Sequence, residues 1–168
     1  MSATEVPRLI LRGERVTLRT PQFQDADPSY KWFAGPEITR YLPLAPRGKL
    51  TMDAMREFIM RVSGSDSPEL AVSIEAEGGY IGRGGPRNID SESAELSIII
   101  GEHRFQGRGI AREAAMLLLG HAFRTLGLKT VWLIVRGDHQ RALKLFERLG
   151  FVRNQLLAHS LSATSELR

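Results

Sequence analysis

Cysteine is absent from this 168-residue chain. That excludes a disulfide, a thiolate metal site and a cysteine nucleophile, and it is compatible with a reducing compartment. Long apolar runs are missing too; none approaches the roughly 20 residues that a bilayer-spanning helix needs. Met1 to Arg12 alternates polar and apolar residues and carries Glu5, Arg8 and Arg12, unlike the uninterrupted apolar stretch of a signal peptide. The expectation is a cytoplasmic protein with no membrane partner. There is no internal repeat, low-complexity block or long linker, and the length suits a single domain over residues 1–168.

Several chemical signatures are lacking as well. The histidines His103, His121, His139 and His159 stand singly, without metal-ligand spacing, so no metal is expected. No G-x-S-x-G elbow marks a serine hydrolase. No base-reading motif or aromatic-interleaved basic run points to nucleic acid. Charge is uneven: residues 1–100 hold 12 basic and 14 acidic side chains (−2), and residues 101–168 hold 11 and 5 (+6), giving the net +4. A basic second half suits an anionic ligand there; arginine-rich solvated helix faces are the plainer reading.

What is present follows a clear order. Arg15 to Thr20 alternates with period two and reads as a strand. Pro21 to Phe33 reads as a short helix broken by Gly35-Pro36, and Glu37 to Leu42 as a further helical turn. Thr51 to Val62 puts Met52, Met55, Ile59 and Val62 on one helical stripe. Leu70 to Ala76, Tyr80 to Gly84 and Ala94 to Ile100 form a predicted antiparallel meander. From Gly109 to Leu126 apolar residues recur at helical spacing, and Gly127 can end the helix. Thr130 to Val135 reads as a strand, Gln140 to Leu149 as a helix, and Phe151-Val152 as the start of a last strand. The class is mixed α/β, with strand–helix–strand units only in the second half.

Gly101 to Ala111 lies between an apolar strand and the start of a long helix. Helix N-termini offer unpaired N–H groups and the positive end of a dipole, and both suit phosphate. Gly107 and Gly109 let the backbone approach a ligand, while Arg104, Arg108 and Arg112 add charge. The P-loop pattern is missing, and Arg112 breaks the G-x-G-x-x-G dinucleotide pattern. On these grounds alone the segment is either a phosphate cradle or a glycine-containing turn without a ligand.

Gln106-x-x-Gly109-x-Ala111 resembles the acetyl-CoA motif of the GNAT superfamily of N-acetyltransferases, at the strand-to-helix position where that family carries it. Val135 to Phe151, with its Leu149-Gly150-Phe151 ending, is similar to the family's second signature. Leu18-Arg19 and Glu37 to Leu42 resemble the branch containing the ribosomal-protein N-alanine acetyltransferases (RimJ and RimL). The likeness runs from about Glu14 to Phe151. It implies a twisted, mostly antiparallel sheet, flanked by helices and split around the fourth and fifth strands, here Ala94 to Ile100 and Thr130 to Val135. It further implies acetyl-CoA as co-substrate. Backbone groups of Ile98, Ile99 and Ile100 would bond the pantetheine arm and point a donor at the thioester oxygen. Gln106, Gly107, Arg108, Gly109, Ile110, Ala111 and Arg112 would hold the pyrophosphate, and His139, Arg141 and Phe146 would lie against the rest of the cofactor.

The implied reaction moves an acetyl group onto a primary amine, a peptide N-terminus or a small molecule, by direct attack in a ternary complex. Such a reaction needs a neutral amine, a donor for the carbonyl oxygen and a proton for the leaving thiolate. Glu95 is the candidate base: it shares a strand face with Ser97 and Ile99, opposite Leu96, Ile98 and Ile100. Otherwise it is a solvated residue at a strand start. Glu92 and Glu102 are weaker candidates. Many family members carry Tyr where this chain has Phe146, which has no proton to give. His139 titrates in a suitable range, yet also reads as a helix-start residue packing near pantetheine. Trp32 and Tyr41 are the acceptor-side candidates, with core packing as the alternative. The tail beyond Phe151 shows little alternation, so the last strand is expected to be short, disordered or supplied by a partner subunit; an unpaired edge would then favour a homodimer. Phe146 and the short tail also support an alternative, a GNAT-fold acyl-CoA-binding module with weak or no catalysis.

Overall fold

The computed structural model describes residues 9–42 and 49–153, and the backbone of residues 160–164. Strands β1 (Ile10–Arg12) and β2 (Val16–Arg19) form a hairpin. A 3-10 turn at Phe23–Asp25 leads into α1 (Ala26–Ala34), then α2 (Pro36–Thr39) and α3 (Met52–Ser63). Strands β3 (Val72–Ala76), β4 (Gly79–Arg87) and β5 (Ser93–Ile100) form the meander. Helix α4 (Ile110–Gly120) runs into a π-helical turn at His121–Thr125, and β6 (Thr130–Ile134), α5 (Gln140–Arg148), β7 (Val152–Arg153) and β8 (Ser160–Thr164) follow. The described strands make one sheet in the order β1-β2-β3-β4-β5-β6-β8-β7.

Each sheet face has its own apolar layer. Leu18, Val72, Ile74, Ala94 and Leu96 belong to the main core together with Ala114, Ala115 and Leu118 of α4 and Leu143 and Phe146 of α5. Fully burying one such leucine or isoleucine contributes roughly 1.5–3 kcal/mol. A second cluster joins Ala26 and Phe33 of α1 to Met55 and Ile59 of α3, with Ile99 packed against it. The alternation along β5 thus sends Leu96 to one layer and Ile99 to the other, as period two requires.

All neighbouring strands pair antiparallel except β5 and β6. These two run parallel and pair only at Ser93–Thr130, Ala94–Val131 and Glu95–Trp132. Beyond Glu95 the ladder stops although both strands continue, which opens the sheet into a V. The splayed strands are those expected to split; they count as fifth and sixth because β1, which the sequence reading did not include, precedes them.

The end of the chain corrects another expectation. Instead of a tail lacking a complete last strand, β8 pairs with β6 along its whole length, from Thr130–Thr164 to Ile134–Ser160, and with β7 at Val152–Ser162 and Arg153–Leu161. The chain itself supplies the strand that covers β6. The motif Ser160-Leu161-Ser162-Ala163-Thr164 does alternate, with small residues that suit a strand between two neighbours. The rest of the tail, residues 154–159 and 165–168, lies outside the described residues, as do Met1 to Arg8. Strand β4 is also longer than Tyr80 to Gly84, extending to Arg87 through a Gly85 at φ +126°.

Candidate active site

The turn from β5 to α4 is built by two left-handed glycines, Gly107 at φ 71° and Gly109 at φ 79°. A side chain at either would strain the backbone by roughly 1–2 kcal/mol. The first amide after this turn to bond backward is Glu113, to the Gly109 carbonyl at 3.1 Å. The amides of Ile110 to Arg112 therefore belong to the open first turn of α4. The exposed side chains of Arg108, Arg112 and Arg141 surround this cradle, and the Arg141 guanidinium carbon lies 4.0 Å from where a Cβ on Gly107 would be. Amides at a helix start, glycines and three cations together fit a pyrophosphate.

Side chains brace the cradle from three directions. Gln106 Nε2 donates to the Ile100 carbonyl at 2.9 Å, and Arg141 Nη1 donates to Gln106 Oε1 at 3.4 Å. Gln106 thus ties β5 to α5. Arg15 Nη1 donates to the Arg108 carbonyl at 2.8 Å, while Glu113 of α4 accepts from the amides of Arg15 and Val16 at 2.7 and 3.2 Å. Arg15 was not foreseen as a site residue; nothing in its strand pattern reveals that it reaches the cradle.

The V supplies the second half of the site. The carbonyls of Ser97 and Ile99 face β4, where a Cβ on Gly84 or Gly82 would run into them. By alternation Ile98 and Ile100 turn their N–H and C=O groups toward the gap left by β6. Of the three residues singled out on this strand, Ile98 and Ile100 offer backbone groups to the gap and Ile99 does not. The Ile100 carbonyl is already engaged by Gln106.

Glu95 sits at the closed apex of the V, in the last rung that β5 shares with β6. It is 5% exposed, so it is not a solvated strand-start residue. Its oxygens accept from Arg87 Nη2 at 2.6 Å and Asn88 Nδ2 at 2.7 Å. Sequence reasoning missed both partners, although the register Arg87–Glu95 across a hairpin is the kind of opposite-charge pair it can flag. Glu92 lies outside the V: it pairs with Lys129 and is exposed.

Trp32 covers the end of β5, its indole occupying the space a Gly101 side chain would need. Its Nε1 donates to Glu102 Oε1 at 3.0 Å, and its ring lies 4.9 Å from that of Tyr80. Tyr41 stacks on His139, with ring centroids 4.0 Å apart and planes 24° off parallel. His139 is the residue that begins α5, so the pair links the helical region after β2 to the far wall of the V. Burial lowers the His139 pKa below its usual value, with help from the nearby Arg141 charge. Phe146 is 7% exposed and packs edge-on against Phe151, 5.3 Å away, in the main core.

Residues 15–152 match the family model described as the acetyltransferase (GNAT) domain. The chain belongs to the GNAT acetyltransferase family. It is therefore an acetyl-CoA-dependent N-acetyltransferase, with a fold that binds CoA. Among similar proteins, the N-acetyltransferase p20 of Bacillus licheniformis is 27% identical over 153 residues, covering 88% of this chain and 84% of that one. The spermidine N(1)-acetyltransferase of Escherichia coli K12 is 33% identical over 75 residues, 45% of this chain and 40% of the relative. Spermidine N-acetyltransferase from Vibrio cholerae, solved with CoA and spermine, superimposes with a TM-score of 0.80 at 22% identity, covering 92% of this GNAT chain and 98% of that one. Mycobacterium smegmatis RimJ, solved with CoA-disulfide, gives 0.78 at 19% identity, covering 95% and 87%. Among the described residues, no group of three or more histidine, aspartate or glutamate side chains is gathered as for a metal ion, and no helix is long and apolar enough to cross a membrane.

Proposed function

We propose that this acetyltransferase moves the acetyl group of acetyl-CoA directly onto a primary amine held in the V beside β5. The observation that carries this reading is the loss of β5–β6 pairing after Glu95, which frees backbone groups of Ile98 and Ile100 next to an arginine-lined phosphate cradle. Bound acetyl-CoA supplies the thioester. The Ile98 amide is the donor we assign to its carbonyl oxygen, and the open amides from Gly107 to Ala111 hold the pyrophosphate, with Arg108, Arg112 and Arg141 beside them. Glu95 receives the proton of the attacking amine through a water, since its own oxygens are held by Arg87 and Asn88. Trp32 and Tyr41 flank the acceptor. The thiolate takes its proton from solvent, because Phe146 has no hydroxyl and His139, its pKa held low by burial, is neutral.

The buried, proton-less Phe146 also favours a second reading, a protein that binds acyl-CoA and turns it over slowly. Two measurements separate the readings. Thermal unfolding with acetyl-CoA should rise by a few degrees near saturation, with no rise for adenosine. CoA release should then depend on an added amine. Protection without amine-dependent release over a broad amine panel selects the slow binder; no protection removes both.

A further inference from the structure

Between α3 and the sheet lies a cavity of about 120 Å³, room for several water-sized groups. Its lining includes Phe58, Ser73, Tyr80, Arg83, Arg87 and Ser97. Ser97 precedes Ile98 on β5, so the cavity adjoins the strand assigned to the thioester, on the face that also carries Glu95 and Ile99. None of the roles assigned above uses its most unusual occupant.

Arg83 is half-buried with its Nη1 fully shielded, and it has no carboxylate within ion-pair distance among the described residues. Its guanidinium carbon lies 4.5 Å from the centre of the Phe33 ring and 4.3 Å from that of Phe58. Two aromatic rings thus pack against the guanidinium. Nη1 has no hydrogen-bond partner among the described residues. Arg87, which lines the same cavity, likewise leaves Nε without a partner. Burial pulls the Arg83 pKa below its usual value, and the charges of Tyr80 and Glu69 work against that pull. Glu69 itself stands with Arg61 at 3.8 Å.

A shielded donor left without an acceptor is costly, the more so on a cation without a carboxylate partner. Bulk water does not reach Nη1 to relieve it. A guanidinium with a free, shielded Nη1 has the donor geometry that a planar carboxylate accepts. In this lining Glu69 stands with Arg61 and Arg87 with Glu95, which leaves Arg83 as the charge that would meet a distal ammonium of a polyamine and disfavour it.

We infer that the acceptor is a small amino acid-like molecule whose carboxylate is bound by Arg83 while its amine reaches the V. This assignment rests on the N-acetyltransferase reading for the fate of the amine, but the carboxylate site stands on Arg83 alone. Arg83 is a specificity residue and takes no part in proton transfer.

The test has two arms on the full chain. The first needs no catalysis: thermal unfolding without acetyl-CoA, in sodium butanoate against sodium chloride at equal ionic strength, for wild type and Arg83→Met. Butanoate should raise the wild-type melting temperature by a few degrees above chloride and leave the variant unmoved. The second compares kcat/KM for glycine, 4-aminobutanoate and 6-aminohexanoate with 1-aminobutane, 1-aminohexane and spermidine. The best carboxylate-bearing amine should exceed its plain alkylamine by about tenfold or more in wild type, and that ratio should fall toward one in Arg83→Met. If butanoate protects both proteins alike or neither, or if alkylamines or spermidine are preferred, the inference is overturned. Protection through Arg83 with none of these amines turned over would keep the carboxylate site and remove the proposed transfer to an amine held in the V instead.

Discussion

Tyr41 and His139 stack 4.0 Å apart, joining the helices that follow β2 to the start of α5 on the opposite side of the V. The stack joins uncharged rings as long as His139 is neutral. Burial, then the Arg141 charge, hold its pKa below the usual 6.5. The folded state thus binds fewer protons than the unfolded chain between that lowered value and 6.5, so stability rises with pH through that window and is lost on acidification. His121, also lowered by burial, acts in the same direction. Melting temperature should fall as pH drops from 7.5 to 5.5, and His139→Asn should flatten that fall, leaving the part due to His121. An unchanged pH dependence would show that the stack does not feel the histidine charge.

The phosphate cradle makes a prediction about a single methyl group. At φ 79°, Gly109 is in the left-handed region, and a Cβ there would meet Arg15 Nη2 at 2.9 Å. Gly109→Ala should cost about 1–2 kcal/mol in stability from backbone strain alone. By displacing Arg15 from the Arg108 carbonyl it should also weaken acetyl-CoA binding about tenfold or more. Calorimetric titration checks the affinity and thermal melting the stability; a variant that binds acetyl-CoA like wild type would remove these amides from the site.

Glu95 supplies the kinetic prediction. A positioned general base contributes typically about 10²–10⁴ in rate, so Glu95→Gln should lower kcat by about a hundredfold. The KM for acetyl-CoA should change little, since the carboxylate lies at the apex and away from the cradle. Equal loss in binding and turnover would instead mark Glu95 as the group that orders Arg87 and the β4–β5 hairpin.

A structural centre lies apart from the V. Asp25 is 1% exposed and accepts from both Nη atoms of Arg19 at 2.8 Å, from Ser73 Oγ at 2.6 Å and from the Gln22 amide at 2.8 Å. Burial pushes its pKa up, and these donors more than reverse that, holding it below the usual carboxylate range. The stability it confers is present above the unfolded pKa and is lost as pH falls through the folded one. Asp25→Ala leaves Arg19 with Glu75 alone and takes the acceptor from Ser73 Oγ and the Gln22 amide, and should destabilise the fold by about 3–5 kcal/mol; urea unfolding at pH 7 measures it.

Local pattern made much of this architecture legible. Period-two alternation marked the strands that carry Leu18, Ile74 and Leu96, and Gln106 with Gly109, through their resemblance to the family motif, drew attention to the turn from β5 to α4. What stayed hidden depends on contacts far apart in sequence. Three residues at Ile10–Arg12 are too few for alternation to register, and they become a strand only because β2 pairs with them. Arg15 reaches a carbonyl 93 positions away. Arg83 sits among glycines on β4, where a lone charge looks solvated. Only the packing of Phe33 and Phe58 against it discloses a cation with a shielded Nη1.

The position of β8 bears on how the molecule is made. Last in sequence among the described strands, it is inserted between β6 and β7, both synthesised before it. At ~5–20 residues per second, translation from Ile134 to Thr164 takes about 2–6 seconds. Throughout that interval β6 holds only its three rungs with β5, and its other edge is bare. A nascent chain is then one wall short of an enzyme, so a chaperone that shields sheet edges has a defined moment at which to act on it.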